Sequence, residues 1–250
     1  MLGQDWLKRL KVKKNKEVLI LGASSDIGIE VVNLFLKHNW NVYAHYNNNA
    51  DKLKKILKNQ KKSLFLIKSD LSNDQSVKNL INNIKKKNIT SYINLVGYLD
   101  NKSFQNFNIT DIVKTLKINT LNPLLIQRAL IKNMLKLKFG RILNISSIGV
   151  KYGGSKYTFN YSFSKKALEY FPKYLKDLTR NNILNNVLRI GVVNTKLLKK
   201  VKSKNLSKRV SLIPIKRMAT VVEIAKAIYN LTSDKNTYIS GETITIAGGE

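Results

Sequence analysis

The chain of 250 residues contains no cysteine, three prolines and two histidines. The lack of cysteine excludes disulfides and thiolate metal sites. The two histidines, His38 and His45, argue against a multi-histidine centre, so we expect no metal. The scarcity of proline argues against disordered linkers, and no apolar run is long enough to span a bilayer. A chain of this length is expected to bury a core without covalent cross-links.

Acidic residues are also scarce: 15 stand against 45 basic ones, which gives a formal net charge of +30. Binding to nucleic acid or to a membrane surface is one interpretation. However, 38 of the basic residues are lysine and the chain holds 30 asparagines, a composition that adenine- and thymine-rich codons produce without selection for a partner. Lysine also suits bidentate phosphate or base recognition less well than arginine. We therefore expect no nucleic-acid partner.

Residues 1–16 form a basic lead-in that lacks the apolar core and cleavage site of a secretory signal. A short amphipathic anchor built on Trp6, Leu7 and Leu10 is the alternative to a packed lead-in to the first strand. With no signal, no cysteine and no membrane span, we expect a cytoplasmic location.

Short apolar runs alternate with amphipathic, lysine-rich segments, which predicts repeated βαβ units and a parallel sheet covered on both faces. No linker or internal repeat divides residues 1–250, so we expect one domain, with 195–212 as a mobile substrate lid. The predicted strands are Glu17–Leu21, Asn41–Tyr46, Ser63–Ile67, Ser91–Val96, Gly140–Ser146, Asn185–Ile190 and Thr243–Ile246. The predicted helices are Ile27–His38, Asp51–Asn59, Asp74–Lys87, Ile109–Leu137, Ser162–Leu178 and Val221–Leu231.

The first predicted strand leads directly into a small-residue turn and a helix. Such a turn lets the backbone approach a pyrophosphate at the positive end of the helix. The G-x-G-x-x-G spacing is not met, and the alternative is an ordinary turn with Ser24, Ser25 or Asp26 as the helix cap. The candidate cofactor-binding residues here are Gly22, Ser24, Ser25, Ile27 and Gly28.

The second strand ends at Tyr46-Asn47, where a dinucleotide fold reads the adenosine ribose. No acid stands there to hold both ribose hydroxyls or to repel a 2′-phosphate, so NADP(H) is favoured over NAD(H), which is not excluded. After the third strand, Asp70-Leu71 is a candidate adenine contact. The alternative is a helix cap by Asp70 or Ser72.

Tyr161 and Lys165 stand four residues apart in a helical stretch and therefore share one face. A neighbouring ammonium favours the phenolate, so we expect a lowered Tyr161 pKa and proton exchange with a carbonyl oxygen. Ser147, at the end of a strand, can bind the same oxygen. Asn119 is a candidate to hold a water beside Lys165, although asparagine is common in this chain.

With these residues the chain resembles the short-chain dehydrogenase/reductase family, most closely its 3-oxoacyl-carrier-protein reductases, from about residue 16 to 250. The resemblance implies a doubly wound three-layer Rossmann fold with a mainly parallel seven-stranded sheet, a nicotinamide cofactor, and hydride transfer to or from a carbonyl. The landmarks are Gly22–Gly28, Asp70-Leu71, Asn94–Gly97, Asn119, Asn144–Ser147, Tyr161-x-x-x-Lys165, Gly191 with Thr195, Ile213–Met218 and Tyr238–Gly249.

The family roles carried onto these positions make Tyr161 the acid/base and Lys165 its helper and a ribose ligand. Ser147 would orient the substrate and Asn119 would complete a proton relay. The further cofactor contacts implied are Asn94, Gly97, Gly191, Val193 and Thr195. Departures from the family pattern include Asp26 in place of a glycine, Ile190 in place of a proline, and Pro172, which should kink or shorten the catalytic helix.

Three functions remain open at this point. The first is a carbonyl reductase for 3-oxoacyl thioesters, the second a sugar- or polyol-modifying oxidoreductase, and the third a non-enzymatic polyanion-binding protein. The segment from Lys196 to Arg209 is rich in lysine and has no acid, so an anionic or carrier-bound small-molecule substrate is favoured. By resemblance we also expect a homo-oligomer, either a dimer or a tetramer.

Overall fold

The computed structural model describes residues 16–201 and 205–250. Its seven strands form one parallel sheet in the order β3-β2-β1-β4-β5-β6-β7. The strands are β1 (Glu17–Leu21), β2 (Asn41–Tyr46), β3 (Leu64–Lys68), β4 (Ser91–Asn94), β5 (Gly140–Ser147), β6 (Ile183–Ile190) and β7 (Thr243–Ile246). The crossover between β1 and β4 places the carboxyl ends of these central strands around one crevice.

Helices cover both faces of the sheet. The helices of eight or more residues are α1 (Asp26–Lys37), α2 (Asp51–Asn59), α3 (Asp74–Ile84), α4 (Ile109–Leu116), α5 (Asn122–Leu137), α6 (Phe159–Ala167) and, after three short ones, α10 (Val221–Thr232). The short ones are α7 (Lys173–Asp177), α8 (Lys196–Lys199) and α9 (Leu206–Ser211). None of the helices in the described part of the chain is long and apolar enough to cross a bilayer.

Two apolar cores explain why the central strands are buried on both sides. On one face, Phe35 of α1 and Ile228 of α10 pack with Val18 and Ile20 of β1. On the other face, Leu19 and Leu21 of the same strand pack with side chains of α3 and α5. This arrangement confirms the predicted doubly wound, three-layer Rossmann fold.

The long helix predicted over Ile109–Leu137 is continuous but contains a π-helical turn at Lys117–Leu121. Asn119 and Thr120 are buried in this turn and face α6. The Thr120 hydroxyl donates to the Ser164 carbonyl over 2.7 Å, and Asn119 contacts the loop after β4. These side-chain bonds hold the wider turn, a feature that often marks functional sites in helices.

The predicted catalytic helix Ser162–Leu178 is two helices in the structure. The first, α6, ends at Ala167, and Pro172 caps the short helix that starts at Lys173. Proline lacks an amide proton, and its ring clashes with the preceding turn of a helix. The expectation that Pro172 shortens the helix agrees with this break.

Some predicted boundaries shift in the structure. Strand β4 ends at Asn94 rather than Val96, and β6 begins at Ile183 rather than Asn185. Residues 1–15 of the predicted lead-in lie outside the described residues. The predicted lid contains α8 and α9, its residues 202–204 are not described, and its mobility stays a prediction.

Candidate active site

Two adjoining cavities open at the carboxyl ends of the central strands. A cavity of about 400 Å³ extends from the turn after β1 to Tyr161 and Lys165. A second cavity of about 890 Å³ lies on the side of Ser147. Tyr161 lines both cavities and therefore stands at their junction. The other residues that line both are Ile27, Ile190, Thr195 and Leu197.

The turn after β1 is shaped by two glycines. Gly22 has a φ of +74°, and a Cβ on Gly28 would lie 2.6 Å from the carbonyl oxygens of Gly22 and Ala23. The structure decides among the predicted caps: Ser25 is the N-cap of α1, and its hydroxyl accepts a 3.0 Å hydrogen bond from the Gly28 amide. The turn thus brings the first residues of α1 to the smaller cavity.

Asp26 is the first residue of α1 and lines the smaller cavity. Its carboxylate accepts hydrogen bonds from the Lys52 ammonium at 3.1 Å and from the main-chain nitrogen of Lys196 at 2.8 Å. Burial raises the pKa of Asp26, but these hydrogen bonds and the lysine charges outweigh it and lower the pKa. The predicted alternative of Asp26 as the cap of α1 is wrong, because Ser25 already fills that role.

Lys165 is buried on α6 at the boundary of the smaller cavity. Its ammonium donates to the carbonyl oxygens of Val96 and Ile145, both at 2.7 Å. These carbonyls follow β4 and lie on β5, so Lys165 joins the ends of two neighbouring strands. Burial lowers the pKa of Lys165 to about 7, which leaves its charge sensitive to changes near neutral pH.

Tyr161 lies one turn before Lys165 on α6, and its ring centroid is 5.8 Å from the Lys165 ammonium. Burial raises the pKa of Tyr161 to about 12, and a hydrogen bond with Ser147 opposes that rise. The expected lowering of the Tyr161 pKa by Lys165 is therefore wrong for the protein alone. The physical reason is that desolvation dominates while the ammonium is directed at two carbonyl oxygens.

Gly97 leaves space beside the Tyr161 hydroxyl. A Cβ at this position would lie 4.0 Å from that hydroxyl oxygen and 3.1 Å from Cδ2 of Leu197. Ser147, the last residue of β5, accepts a 3.3 Å hydrogen bond from the Gly149 amide and lines the larger cavity. The hydroxyls of Tyr161 and Ser147 are thus paired at the meeting point of both cavities.

Asn119 lies behind this pair and lines neither cavity. Its amide oxygen accepts from the Tyr98 nitrogen at 2.7 Å, and its amide nitrogen donates to the Tyr98 carbonyl and the Ser164 hydroxyl, both at 2.9 Å. These bonds fix the loop after β4 against α6. A water held beside Lys165 by Asn119 stays a prediction.

Asn94 is also buried rather than exposed to a cavity. Its amide nitrogen donates to Asn144 at 3.2 Å, and its oxygen accepts from the Val96 nitrogen at 3.2 Å. Asn144 in turn donates to Gln127 on α5 at 3.0 Å. This network supports the segment that supplies the Val96 carbonyl to Lys165.

The predicted adenosine end differs from its expected residues. Tyr46 and Asn47 do not line the smaller cavity, whereas Asn49, Asp51 and Lys52 do. The Asp51 carboxylate accepts a 2.9 Å hydrogen bond from the Asn49 side chain. These three residues lie three to six positions after the end of β2. The sequence pattern pointed only to the residues directly at the end of the strand and therefore did not predict them.

Asp70 and Leu71 follow β3 but line neither described cavity. The Asp70 carboxylate accepts hydrogen bonds from the amide and the hydroxyl of Ser72, both at 2.8 Å, and its pKa is lowered by them. The alternative of a cap by Asp70 or Ser72 is wrong, because Asn73 caps α3 and accepts from the Ser76 amide.

The loop after β6 lies across the crevice. Gly191 and Val193 line the larger cavity, and a Cβ on Gly191 would lie 2.7 Å from the Cα of Ala247. Thr195 caps α8 by accepting from the Leu198 amide at 3.3 Å. Leu197 lines both cavities and lies close to Gly97. The lysine-rich sequence around Leu197 gave no sign of this contact. The predicted residues at the two cavities are therefore Ser24, Ser25, Ile27, Gly97, Ser147, Tyr161, Lys165, Gly191, Val193 and Thr195.

Comparisons with known proteins agree with this geometry. A family model described as enoyl-(acyl carrier protein) reductase matches residues 22–250. The 3-oxoacyl-[acyl-carrier-protein] reductase FabG of Buchnera aphidicola subsp. Schizaphis graminum is 32% identical, over 96% of this chain and 98% of the relative.

Solved structures give the same assignment of the fold. A structure titled "ElxO with NADP Bound" superposes with a TM-score of 0.79 at 26% identity, over 94% of this chain and 98% of that one. YwfH, titled an NADPH-dependent reductase involved in bacilysin biosynthesis, gives a TM-score of 0.83 at 23% identity over the same shares of the two chains. From the match of the family model and the relatives, this chain belongs to the short-chain dehydrogenase/reductase family.

Proposed function

We propose that this oxidoreductase uses NADPH to reduce the 3-keto group of an acyl thioester. The observation that carries the proposal is the position of Tyr161 at the junction of two cavities, hydrogen-bonded to Ser147 of the larger cavity and with Lys165 one helical turn away. One cavity is available for a cofactor and the other for a substrate. A non-enzymatic polyanion-binding protein would not need this combination of buried and paired groups.

The smaller cavity fits a nicotinamide dinucleotide. The left-handed Gly22 and the close packing of Gly28 bring the N-terminus of α1 to the cavity, where it can bind a pyrophosphate. Gly97 lines this cavity beside Tyr161 without a side chain of its own, so a planar ring could approach the hydroxyl. Ser24, Ser25, Thr195 and Lys165 would hold the cofactor through hydroxyl and ammonium groups.

A nicotinamide cofactor held by these residues would supply a hydride for the carbonyl carbon of the substrate. Ser147 positions the carbonyl oxygen by a hydrogen bond, and Tyr161 transfers its hydroxyl proton to that oxygen. Burial raises the pKa of Tyr161 to about 12, which keeps the phenol protonated but makes it a weaker acid, so the transfer depends on stabilisation of the phenolate. A charged Lys165 then stabilises the phenolate that remains.

The NADP(H) preference is part of this proposal. It is supported by the relative whose title names bound NADP and by the absence of an acid at Tyr46-Asn47. Asp51 lines the cavity, but its carboxylate is already bonded to Asn49, and Lys52 brings a cation to the same wall. The Lys52 ammonium is paired with Asp26 at 3.1 Å, but its side chain is still 54% exposed and can therefore attract a 2′-phosphate.

The larger cavity favours an acyl substrate over a sugar. Much of its wall is apolar, with contributions from Leu99, Ile148, Leu198, Val201 and Leu212. Ser155, Thr158 and Ser162 add hydroxyls to this wall, but the apolar part offers a sugar or polyol no polar partners, whereas an acyl chain needs none. Lys151 and Lys208 also line it, and attraction of an acidic carrier or coenzyme A by such cations supports an anionic substrate.

A homo-oligomer is also proposed. The face formed by α4, the π turn, α5 and α6 leaves large apolar side chains exposed: Ile109, Val113, Leu121, Leu125 and Phe163. An apolar face of this kind is typical of a surface that binds another protein. The cytoplasmic location stays a prediction.

The test measures NADPH oxidation by the purified protein with acetoacetyl-CoA, and then with a panel of sugar and polyol substrates in both directions. We expect turnover with the thioester and none with the sugars. Turnover restricted to a sugar or polyol would overturn the proposed substrate. Absence of NADPH binding would overturn the proposed enzyme itself.

A further inference from the structure

His45 joins the turn after β1, which leads into the smaller cavity, to the loop after β3. It lies on β2 and is 3% exposed. Its Nδ1 accepts a hydrogen bond from the Gly22 amide at 3.2 Å, and its Nε2 lies 2.9 Å from the Ser69 carbonyl oxygen. Because an amide can only donate and a carbonyl can only accept, the ring is the neutral Nε2–H tautomer.

The Gly22 amide belongs to the turn after β1. The carbonyl of His45 also accepts the Ala23 amide at 2.9 Å, so His45 holds two consecutive amides of that turn. Gly22 adopts a left-handed φ, which glycine does without steric cost, and its carbonyl accepts from the Ser25 amide at 3.1 Å. Ser25 in turn caps α1, so the ring bond is linked to the geometry of the helix start.

The Ser69 carbonyl belongs to the loop after β3. The hydroxyls of Ser69 and Ser76 share a hydrogen bond of 2.9 Å, and the Ser76 hydroxyl also accepts from the Asp70 amide at 2.9 Å. The imidazole is therefore the bridge between the turn at Gly22 and the loop at Asp70. The turn at Gly22 leads to the proposed cofactor contacts Ser24 and Ser25, whereas the loop at Asp70 lines neither cavity and anchors the ring from the other side.

We propose that His45 is a positioning residue for cofactor binding: its neutral imidazole fixes the spacing between the turn after β1 and the loop after β3. The inference rests on the proposed use of NADPH. His45 does not reach Tyr161 or Ser147 in the structure, so its loss changes cofactor affinity and leaves the proton-transfer groups in place. The KM for NADPH and kcat should thus respond differently.

The test compares His45→Phe, which fills the space without hydrogen bonds, with His45→Gln, which keeps a donor and an acceptor. Tyr92→Phe is the matched control, because it removes another buried hydrogen bond, from the Tyr92 hydroxyl to the Pro123 carbonyl at 2.7 Å. The dissociation constants of NADPH and of 2′-phospho-ADP-ribose are measured by calorimetry, together with melting temperature and kcat at saturating NADPH.

We expect His45→Phe to raise both dissociation constants by about tenfold, from two lost hydrogen bonds, with kcat within about twofold of the original. His45→Gln should restore part of the affinity for both ligands. If His45→Phe does not fold, the comparison is made between the original protein and His45→Gln. Tyr92→Phe should lower the melting temperature without changing either constant. Equal affinities of the original and both His45 variants would overturn the inference, whereas no NADPH binding by the original protein would overturn the proposed function instead.

Discussion

The carboxylate of Asp26 accepts a 2.8 Å hydrogen bond from the main-chain nitrogen of Lys196, 170 residues further along the chain. The contact joins the start of α1 to the start of α8, where amides lack partners within the helix. A carboxylate at this position also binds Lys52, so three separate segments meet at one side chain. The segment after β6 is thereby held over the smaller cavity.

Replacing Asp26 by alanine should loosen the segment around Lys196. The loss of this partly exposed contact is expected to cost about 1 kcal/mol, which corresponds to about fivefold faster trypsin cleavage after Lys199 and Lys200 when local opening limits the rate. Asp26→Asn keeps an acceptor for the amide and should have a smaller effect. Peptide mapping over a digestion time course measures the cleavage rates of both variants and of the original protein. Equal rates in all three proteins would show that the Asp26 carboxylate does not hold the segment around Lys196.

Tyr161→Phe should lower kcat by about a thousandfold, since proton transfer of this kind contributes two to four orders of magnitude. The NADPH dissociation constant should change less than about twofold, because the ring still packs. Lys165→Met should lose turnover and also weaken NADPH. Tyr170→Phe and Lys166→Met, at exposed positions on the same segment, are the matched controls. Retention of most of the activity by Tyr161→Phe would rule out the proposed proton donor.

The unmodified protein should bind NADPH more tightly than NADH. Asn47→Asp places a carboxylate in the loop after β2, two residues before Asn49 of the cavity wall, where it should repel the 2′-phosphate and lower the ratio of NADPH to NADH affinity by about tenfold. Asn59→Asp, at the exposed end of α2, adds the same charge elsewhere and should leave the ratio unchanged. Tighter binding of NADH by the unmodified protein would contradict the prediction.

Charge reversal at Lys199 and Lys200, both exposed after Thr195, should raise the KM for acetoacetyl-CoA by about three- to tenfold and flatten its dependence on salt. The KM for the neutral ethyl acetoacetate should hardly move. Lys85→Glu with Lys86→Glu makes the same change in net charge near the amino end of β4, remote from the cavities. If both substrates respond equally, these lysines are ordinary solvated surface.

The pH dependence of stability should carry a contribution from His45. Burial lowers the pKa of His45 from 6.5 to about 4, so the unfolded chain binds the proton more readily. The stabilisation is complete above pH 6.5 and is lost as the pH falls towards 4, by roughly 3 kcal/mol in all. Urea unfolding at pH 7 and pH 4.5, with His45→Gln alongside, isolates this contribution, and parallel losses in the two proteins would refute it.

The sequence predicted the sheet and ten of the residues that line the cavities, because strand ends and motif spacing are local features. Tyr161 and Ser147 meet as expected, since a strand end and a helix on the same sheet edge bring them together. The Tyr161 pKa could not be predicted, because it depends on how deeply the ring is buried and on which oxygens bind Lys165. Contacts such as Leu197 with the space at Gly97 depend on how a distant loop folds back.

The π turn at Lys117–Leu121 sets the direction in which the side chains of α5 point relative to those of α4. Each residue advances an α-helix by about 100°, so removing one residue from the turn would rotate α5 by that angle relative to α4. The stripe of α5 that now lies against the sheet, with Ile126, Leu130 and Met134, would then turn away from it. The extra residue of the turn therefore works as a spacer that keeps two differently directed apolar stripes, one inward and one outward, on a single continuous helix.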